Sequence, residues 1–167
     1  AIGKWLETNK EGYADDCCLD RAKSYIEVLL KADGQERVAD IRKEMQDVMM
    51  DKCSVFREEK SLLECKEKLK ELRQRFAHIG TETSGGPFDY ETVEAMETDH
   101  MLTLAQVMVD SALARKESRG AHYREDFPER DDKEFLVHTL AFDKESEVRI
   151  EHKGVSVTRF QPKPRKY

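Results

Sequence analysis

The stretch SLLECKEKLKELRQRF, residues 61–76, decides the fold class. Its apolar residues recur at alternating steps of three and four, the period at which side chains share one face of an α-helix. The stripe covers only about two heptads, which is too short to favour a coiled coil over a helix packed in a bundle. Ser61 to Glu64 form a candidate N-terminal cap, and a start a few residues earlier is left open. The predicted buried stripe is Leu62, Cys65, Leu69, Leu72 and Phe76.

Two more helices are predicted upstream of this stretch. The first covers residues 19–30 and the second runs from Val38 to about Cys53. Asp33-Gly34-Gln35-Glu36 resembles a capping box for the second helix. The apolar face of the first helix is Ala22, Tyr25, Ile26, Leu29 and Leu30; that of the second is Val38, Ile41, Met45, Val48 and Met49.

A long last helix is predicted after the loop IGTETSGGPFDY, with Asp89 as its N-cap. His100 is interpreted as a hydrogen-bonded core residue, and the methionines as core filler. Gly120 is placed as the left-handed C-cap. Arg115, Lys116 and Arg119 would lie in the last turn, where cations suit the helix dipole. The predicted buried line is Val93, Met96, His100, Leu104, Val107, Ser111 and Ala114, widened by Met101 and Met108.

The pattern changes after residue 118. FLVHTLAF (135–142) is typical of a strand, and EVRIEH (147–152) and VSVTRF (155–160) are predicted to form a hairpin through Lys153-Gly154. We therefore expect a mainly α fold: an antiparallel three-helix bundle with a small C-terminal β-hairpin appendage. The expected division is an N-terminal segment at 1–16, a helical bundle at 17–118, and a charged loop with the β appendage and tail at 119–167.

The composition and the spacing of residues argue against several classes of function. A net charge of −6 argues against a general nucleic-acid surface, and no apolar run approaches the roughly 20 residues of a membrane span. The N-terminal AIGKWLETNKEG lacks the apolar stretch of a secretory signal, so a reducing compartment is expected. No CxxC pair suggests zinc, and the thiols are predicted to be buried or half-buried: Cys17, Cys18, Cys53 and Cys65.

The stretch SRGAHYREDFPERDD, residues 118–132 and here called the charged loop, is the candidate site. His122 between Arg119 and Arg124 could bind a carboxylate or phosphate. The favoured interpretation is an internal ion-pair network in which each arginine of the loop binds a carboxylate of the chain. No catalytic, cofactor-binding or metal-binding residue is predicted. The predicted structural motif is Arg119, Gly120, His122, Arg124, Asp126, Arg130, Asp131 and Asp132.

Three stretches carry a family resemblance. RKESRGAHYREDFPERDDKEFLVHTLAF (115–142) and IRKEMQDVMMDKCSVFREEKSLLECKEKLKEL (41–72) resemble the flavoprotein subunits of succinate dehydrogenase and fumarate reductase, and RFQPKPRKY (159–167) resembles the succinate dehydrogenase type of tail. L-Aspartate oxidases share the bundle and a related Ser-Arg-Gly turn, but ERDD favours the first family. Cys53-Ser54 stands where that family commonly has Val-Gly, and Cys17-Cys18 is not a family feature.

The resemblance implies a C-terminal region whose flavin-binding and capping domains come earlier in the subunit. The parent would interconvert succinate and fumarate with covalently held FAD, and pass electrons to an iron–sulfur subunit and quinone. This region would hold no cofactor and no catalytic residue. Its implied partners are the flavin domain and the iron–sulfur subunit, with membrane contact only through other subunits, no nucleic acid, and a cytoplasmic place on the inner face of the membrane.

Two alternatives remain: an autonomous helical adaptor, or the equivalent domain of an L-aspartate oxidase-like enzyme. The direction of the succinate–fumarate reaction is also left open. Separation from a flavin domain would leave apolar surface uncovered. We expect that surface around Trp5 and Leu6 and along the first helix.

Overall fold

The computed structural model describes residues 16–82, 86, 88–144 and 147–163. The described helices are α1 (Asp16–Leu30), α2 (Val38–Lys52), α3 (Glu59–Phe76) and α4 (Tyr90–Ala114). The described strands are β1 (Phe56–Arg57), β2 (Tyr123–Arg124), β3 (Val137–Lys144) and β4 (Glu147–Gly154). The mainly α fold with a hairpin is confirmed, whereas Trp5 and Leu6 lie outside the described residues.

Helices α2 and α3 run in opposite directions. Lys52 at the end of α2 pairs with Glu64 near the start of α3 at 3.1 Å, and Arg75 near the end of α3 pairs with Glu44 at 2.9 Å. All five side chains of the predicted α3 stripe are buried. The period of three and four therefore identified the core side of α3 correctly.

Helix α4 is antiparallel to α3, and α1 packs on α4. Lys66 and Asp110 pair at 2.5 Å, while Arg73, seven residues further along α3, pairs with Asp99, eleven residues earlier on α4. The Tyr25 hydroxyl donates to Asp99 at 2.6 Å, which fixes α1 at the same place. Burial raises the pKa of Tyr25 well above its usual value, with the Asp99 hydrogen bond adding to the effect.

The predicted core face of α4 is wrong. Val93, Leu104 and Met108 are exposed, and His100 is exposed and stacked on Tyr25 with ring centroids 6.2 Å apart. The helix is apolar on two sides, and the side with smaller residues faces the bundle because small side chains allow close approach. The buried residues of α4 are Thr92, Ala95, Thr98, Leu102, Ala105, Val109, Asp110 and Ala112.

The predicted helix caps have mixed outcomes. Asp89 caps α4 as predicted, accepting the Thr92 N–H at 3.0 Å. Glu58 and Ser61 form a reciprocal capping box at the start of α3. The capping box at 33–36 is wrong: Arg37 is the N-cap of α2 without a side-chain cap, because this segment pairs instead with the end of α3. There the Gly34 N–H donates to the Ile79 carbonyl at 2.9 Å.

The predicted end of α4 is also wrong. The helix ends at Ala114, and Arg115 is its C-cap in extended conformation, so Arg115, Lys116 and Arg119 lie beyond the last turn. Gly120 does have positive φ, at 63°, as predicted. It serves a tight turn inside the charged loop, closed by main-chain hydrogen bonds between Arg119 and His122.

The hairpin uses other strands than predicted. β3 pairs antiparallel with β4 from Val137↔Gly154 to Lys144↔Glu147. EVRIEH therefore pairs with VHTLAFDK, the stretch that precedes it, while residues 155–160 form no strand. The alternation in EVRIEH fits pairing with the stretch before it or the stretch after it, but pairing with the stretch before it gives a longer ladder, of eight residue pairs.

The thiol and methionine predictions hold only in part. Cys53 and Cys65 are buried as predicted, but Cys17 and Cys18 are exposed because α1 touches the bundle along a narrow side only. Met45 is buried, and Met49, Met96 and Met101 pack against the core. Met50 and Met108 are exposed, so the filler interpretation is wrong for those two.

Candidate functional site: the charged loop

The charged loop, residues 118–132, connects α4 to the hairpin and binds the α2–α3 connection, residues 53–58. Strands β1 and β2 pair in parallel with the register Phe56↔Tyr123 and Arg57↔Arg124. The Glu125 N–H donates to the Arg57 carbonyl at 2.8 Å. This short bridge joins segments more than sixty residues apart in the sequence and lies over the start of α3.

Arg124 is the buried centre of the loop. Its side chain is 0% exposed, and its Nε and Nη2 donate to the two carboxylate oxygens of Asp126 at 2.7 and 2.6 Å. Nη1 donates to the Ala112 carbonyl near the end of α4 at 2.8 Å, and the guanidinium lies 5.0 Å from the Phe127 ring centroid. The donors of Arg124 are thus directed at the chain itself.

Asp126 links the loop to α3. Besides Arg124, its Oδ2 accepts the N–H of Glu59, the first residue of α3, at 2.9 Å. A carboxylate suits a helix N-terminus, where N–H groups lack partners within the helix. The Arg124 hydrogen bonds, reinforced by the Glu59 N–H, lower the pKa of Asp126 to about 2.

Glu117 is the second buried centre, and sequence reasoning missed it. Its side chain is 0% exposed and accepts two hydrogen bonds from Arg119, at 2.8 and 3.0 Å. Arg115 and the Asp131 N–H, the latter at 2.8 Å, also donate to it. Burial alone would raise the pKa of Glu117, but these donors outweigh burial and lower it.

Arg115 carries the network to the hairpin. Its guanidinium donates to the carbonyls of Val137 and Phe135 at 2.7 and 2.9 Å and to the Thr139 hydroxyl at 3.0 Å. One side chain at the end of α4 therefore binds both Glu117 and the chain around the start of β3. The sequence contained a signal for the ion pairs of Glu117, since this residue stands two positions from both Arg115 and Arg119.

The end of the loop is closer to solvent. Asp132 accepts from Arg119 at 2.8 Å and from Arg130 at 2.6 Å. Arg130 also donates to the Lys163 carbonyl at 2.8 Å, which holds the tail. Asp131 caps the following turn, accepting the N–H groups of Lys133 and Glu134 at 2.8 and 3.1 Å.

The hydrogen bonds of the His122 ring are not made with the side chains of Arg119 and Arg124, which flank it in the sequence. Its Nδ1 lies 2.9 Å from Arg57 Nη1, and its Nε2 lies 3.0 Å from the Arg115 carbonyl oxygen. Since the guanidinium can only donate, Nδ1 accepts and Nε2 carries the proton. Burial, followed by the charges of nearby arginines, lowers the pKa of His122 despite the Arg115 hydrogen bond.

Seven of the eight residues of the predicted motif make contacts in this network, and Gly120 lies in the turn between Arg119 and His122. The alternative, an anion-binding site, has little to support it, since the guanidinium groups of Arg119, Arg124 and Arg130 already bind carboxylates of the chain. In the part of the chain that the structure describes, no cluster of three or more His, Cys, Asp or Glu could hold a metal ion. No helix within the same ranges is long and apolar enough to cross a membrane.

The sequence of this chain is similar to those of known flavoprotein subunits. Residues 42–167 match the family model described as fumarate reductase flavoprotein C-term. The fumarate reductase flavoprotein subunit of Haemophilus influenzae is 39% identical over 143 residues, covering 85% of this chain and 24% of that protein. The succinate dehydrogenase flavoprotein subunit of Rickettsia bellii is 40% identical over 141 residues, covering 84% of this chain and 24% of that protein.

Solved structures agree. An E. coli quinol fumarate reductase carrying one substitution matches with a TM-score of 0.86 and 34% identity, over 92% of this chain and 27% of that one. An adenylylsulfate reductase from Archaeoglobus fulgidus matches with a TM-score of 0.73 at 20% identity, which shows the fold alone.

The fold and the charged loop define a helical domain whose C-terminal part is joined to it by buried ion pairs. The chain belongs to the family of fumarate reductase and succinate dehydrogenase flavoprotein C-terminal regions. It spans about a quarter of the length of the curated relatives it matches.

Proposed function

We propose that this chain is the C-terminal domain of a flavoprotein subunit that interconverts succinate and fumarate. The observation that carries the proposal is the family match over residues 42–167, together with relatives named as fumarate reductase and succinate dehydrogenase flavoprotein subunits. In such a parent, FAD and the catalytic groups belong to the other domains. Electrons then pass to an iron–sulfur subunit and quinone, and the membrane is reached only through other subunits.

The role proposed for this domain is to stabilise the flavin domain and to help dock partners. The charged loop supports the structural part of that role, because Arg124 and Glu117 are fully buried and bind groups of the chain itself. In this proposal the loop holds the hairpin and tail against the bundle. The chemistry of the reaction does not pass through it.

Exposed apolar side chains support contact with a larger body. Helix α4 has a second apolar side, on which Val93, Leu104 and Met108 are 50%, 62% and 51% exposed. Steps of eleven and four residues place these three side chains on one helix face. Leu19 and Ile26 are exposed on α1, which supports the expected apolar surface along the first helix. We assign the flavin domain to this surface, because a helix apolar on two sides is typical of burial on both.

The first test identifies the native polypeptide. Antibodies against this chain should isolate a protein about four times as long that carries flavin and reduces an artificial acceptor with succinate. A native polypeptide of this length, free of flavin and inactive with succinate, would overturn the proposal in favour of an autonomous adaptor. Activity with L-aspartate instead would assign the other flavoenzyme class.

The second test addresses the surface. Leu104→Lys in the full subunit should weaken flavin retention and assembly, while the same substitution in the isolated chain should leave the fold intact. The matched control is Leu63→Lys, an exposed leucine on α3 (49%). Equal flavin retention by the two full-length variants would refute the assignment of the flavin domain to the α4 face. The proposal that rests on the family match would be unaffected.

A further inference from the structure

We propose that His122 is a proton-sensitive contact: its neutral ring joins the charged loop to the α2–α3 connection, and its protonation releases the loop there. This inference is independent of the proposed function. It rests on where the two ring nitrogens lie and on which segments they join.

The ring is bound on both sides. Nδ1 lies 2.9 Å from Arg57 Nη1 on the α2–α3 connection, and Nε2 lies 3.0 Å from the Arg115 carbonyl oxygen at the end of α4. Only the neutral ring with its proton on Nε2 satisfies both contacts, because a guanidinium donates and a carbonyl accepts. A second proton would place an N–H on Nδ1 facing another N–H donor.

Charge opposes that second proton as well. After burial, the charges of three guanidinium groups lower the pKa of the ring: Arg57 of the α2–α3 connection, Arg115 at the end of α4, and Arg124 of β2. The carboxylates of the same network are already engaged by guanidinium groups and offer the ring no direct partner. They are Glu117, which binds Arg115 and Arg119, and Asp126, which binds Arg124.

The contact that the ring supports is small. The pairing between β1 and β2 covers two residues on each strand, and the Glu125 N–H donates to the Arg57 carbonyl at 2.8 Å. A charged His122 beside Arg57 must move away from it or push Arg57 aside, and either movement weakens this pairing. The Asp126 contact to α3 survives that step, because the pKa of Asp126 is about 2. Loosening is therefore confined to the β1–β2 side of the loop.

The experiment is hydrogen exchange of the Glu125 amide, followed by NMR from pH 7.5 to pH 5 and corrected for intrinsic exchange. The Gly34 amide, bound to Ile79 at the other end of α3, is the internal reference. We expect the protection factor of Glu125 to fall by about tenfold relative to Gly34, which is a change of about 1.4 kcal/mol in the free energy of opening. The fall should follow the titration of the His122 ring, read from its nitrogen shifts.

His122→Gln cannot take up a proton and should abolish the relative fall, whereas His100→Gln, at an exposed histidine, should keep it. If His122→Gln fails to fold, the titration of the ring in the wild-type chain is the deciding measurement. A ring that is neutral with the proton on Nε2 at pH 7.5, and that titrates together with Glu125 protection, supports the contact. Titration of His122 with Glu125 protection unchanged, or a fall that persists in His122→Gln, overturns it.

Discussion

Arg124 and Asp126 form a bidentate pair, with hydrogen bonds of 2.7 and 2.6 Å, in which the arginine is completely buried and the carboxylate is 29% exposed. The pair stands two residues apart, yet its contacts reach α4 through the Ala112 carbonyl and α3 through the Glu59 N–H. It therefore joins the charged loop to two helices of the bundle at once.

Replacing Arg124 by Met should destabilise the chain by about 3–5 kcal/mol, because removing one partner of a buried pair leaves the rest of the network unsatisfied. Urea unfolding at pH 7 measures the change. Arg149→Met is the control: Arg149 pairs with Glu151 on the hairpin but is 52% exposed, so its loss should cost less than about 1 kcal/mol. Similar midpoints for the two variants would contradict the central role of Arg124.

Stability should fall on acidification through Asp126. The pKa of Asp126 is about 2 in the folded chain, below the value of about 3.9 for an unperturbed aspartate. A lowered pKa means that the stabilisation is present above about pH 4 and is lost as pH falls towards 2. The urea midpoint should therefore drop between pH 4.5 and pH 2. Asp126→Asn, less stable at pH 7, should show a shallower drop, and an unchanged slope would argue against this assignment.

The sequence predicted those features that depend on local pattern. The α3 stripe was correct because its opposite face is almost entirely charged. For α4 the same reasoning failed, since Val93 and Leu104 are as apolar as the buried Leu102 and periodicity cannot decide between two apolar sides. The motif of the charged loop was recognised, but the link between His122 and Arg57 spans 65 positions and left no local signal.

Gly34→Ala should be strongly destabilising. A Cβ at Gly34 would lie 1.9 Å from the His78 carbonyl oxygen, where the segment before α2 pairs with the segment just after α3. The atoms nearest to that Cβ are main-chain atoms of His78 and Ile79. The clash can be removed only if the paired segments move apart, so we expect the free energy of unfolding to fall by at least about 1–3 kcal/mol. Gly120→Ala, strained only by its φ of 63°, should cost about 1 kcal/mol. Gly154→Ala, with open space around it, is the control in thermal unfolding.

Thr98→Val should stabilise the chain. Thr98 is fully buried on α4, and within the described ranges its hydroxyl oxygen has no hydrogen-bond partner. Valine keeps the β-branched shape and removes the unsatisfied polar group, which should gain about 1 kcal/mol. Thr103→Val is the control: Thr103 is exposed and lies five residues further along α4. Its hydroxyl binds Arg73 and the Asp99 carbonyl, so that substitution should be neutral or destabilising. A less stable Thr98→Val chain would mean that the hydroxyl has a partner.

Glu117→Gln and Arg130→Ala together test whether the charged loop is structural. In the first variant an uncharged amide would face Arg115 and Arg119 in a fully buried place, and we expect a loss of about 3 kcal/mol or more. Arg130 is 27% exposed, and Asp132 keeps its bond to Arg119 when Arg130 is removed, so Arg130→Ala should cost only about 1 kcal/mol.

In the full subunit, both variants should lower the thermal midpoint or the yield of assembled protein, and Glu117→Gln should lower it more. Protein that does assemble should turn over succinate at nearly the parent rate, because the loop binds its own carboxylates and carbonyls. Turnover per assembled flavin and the melting curve are measured on the same preparation. A variant that assembled and melted like the parent but lost turnover by orders of magnitude would replace the structural role with a catalytic one.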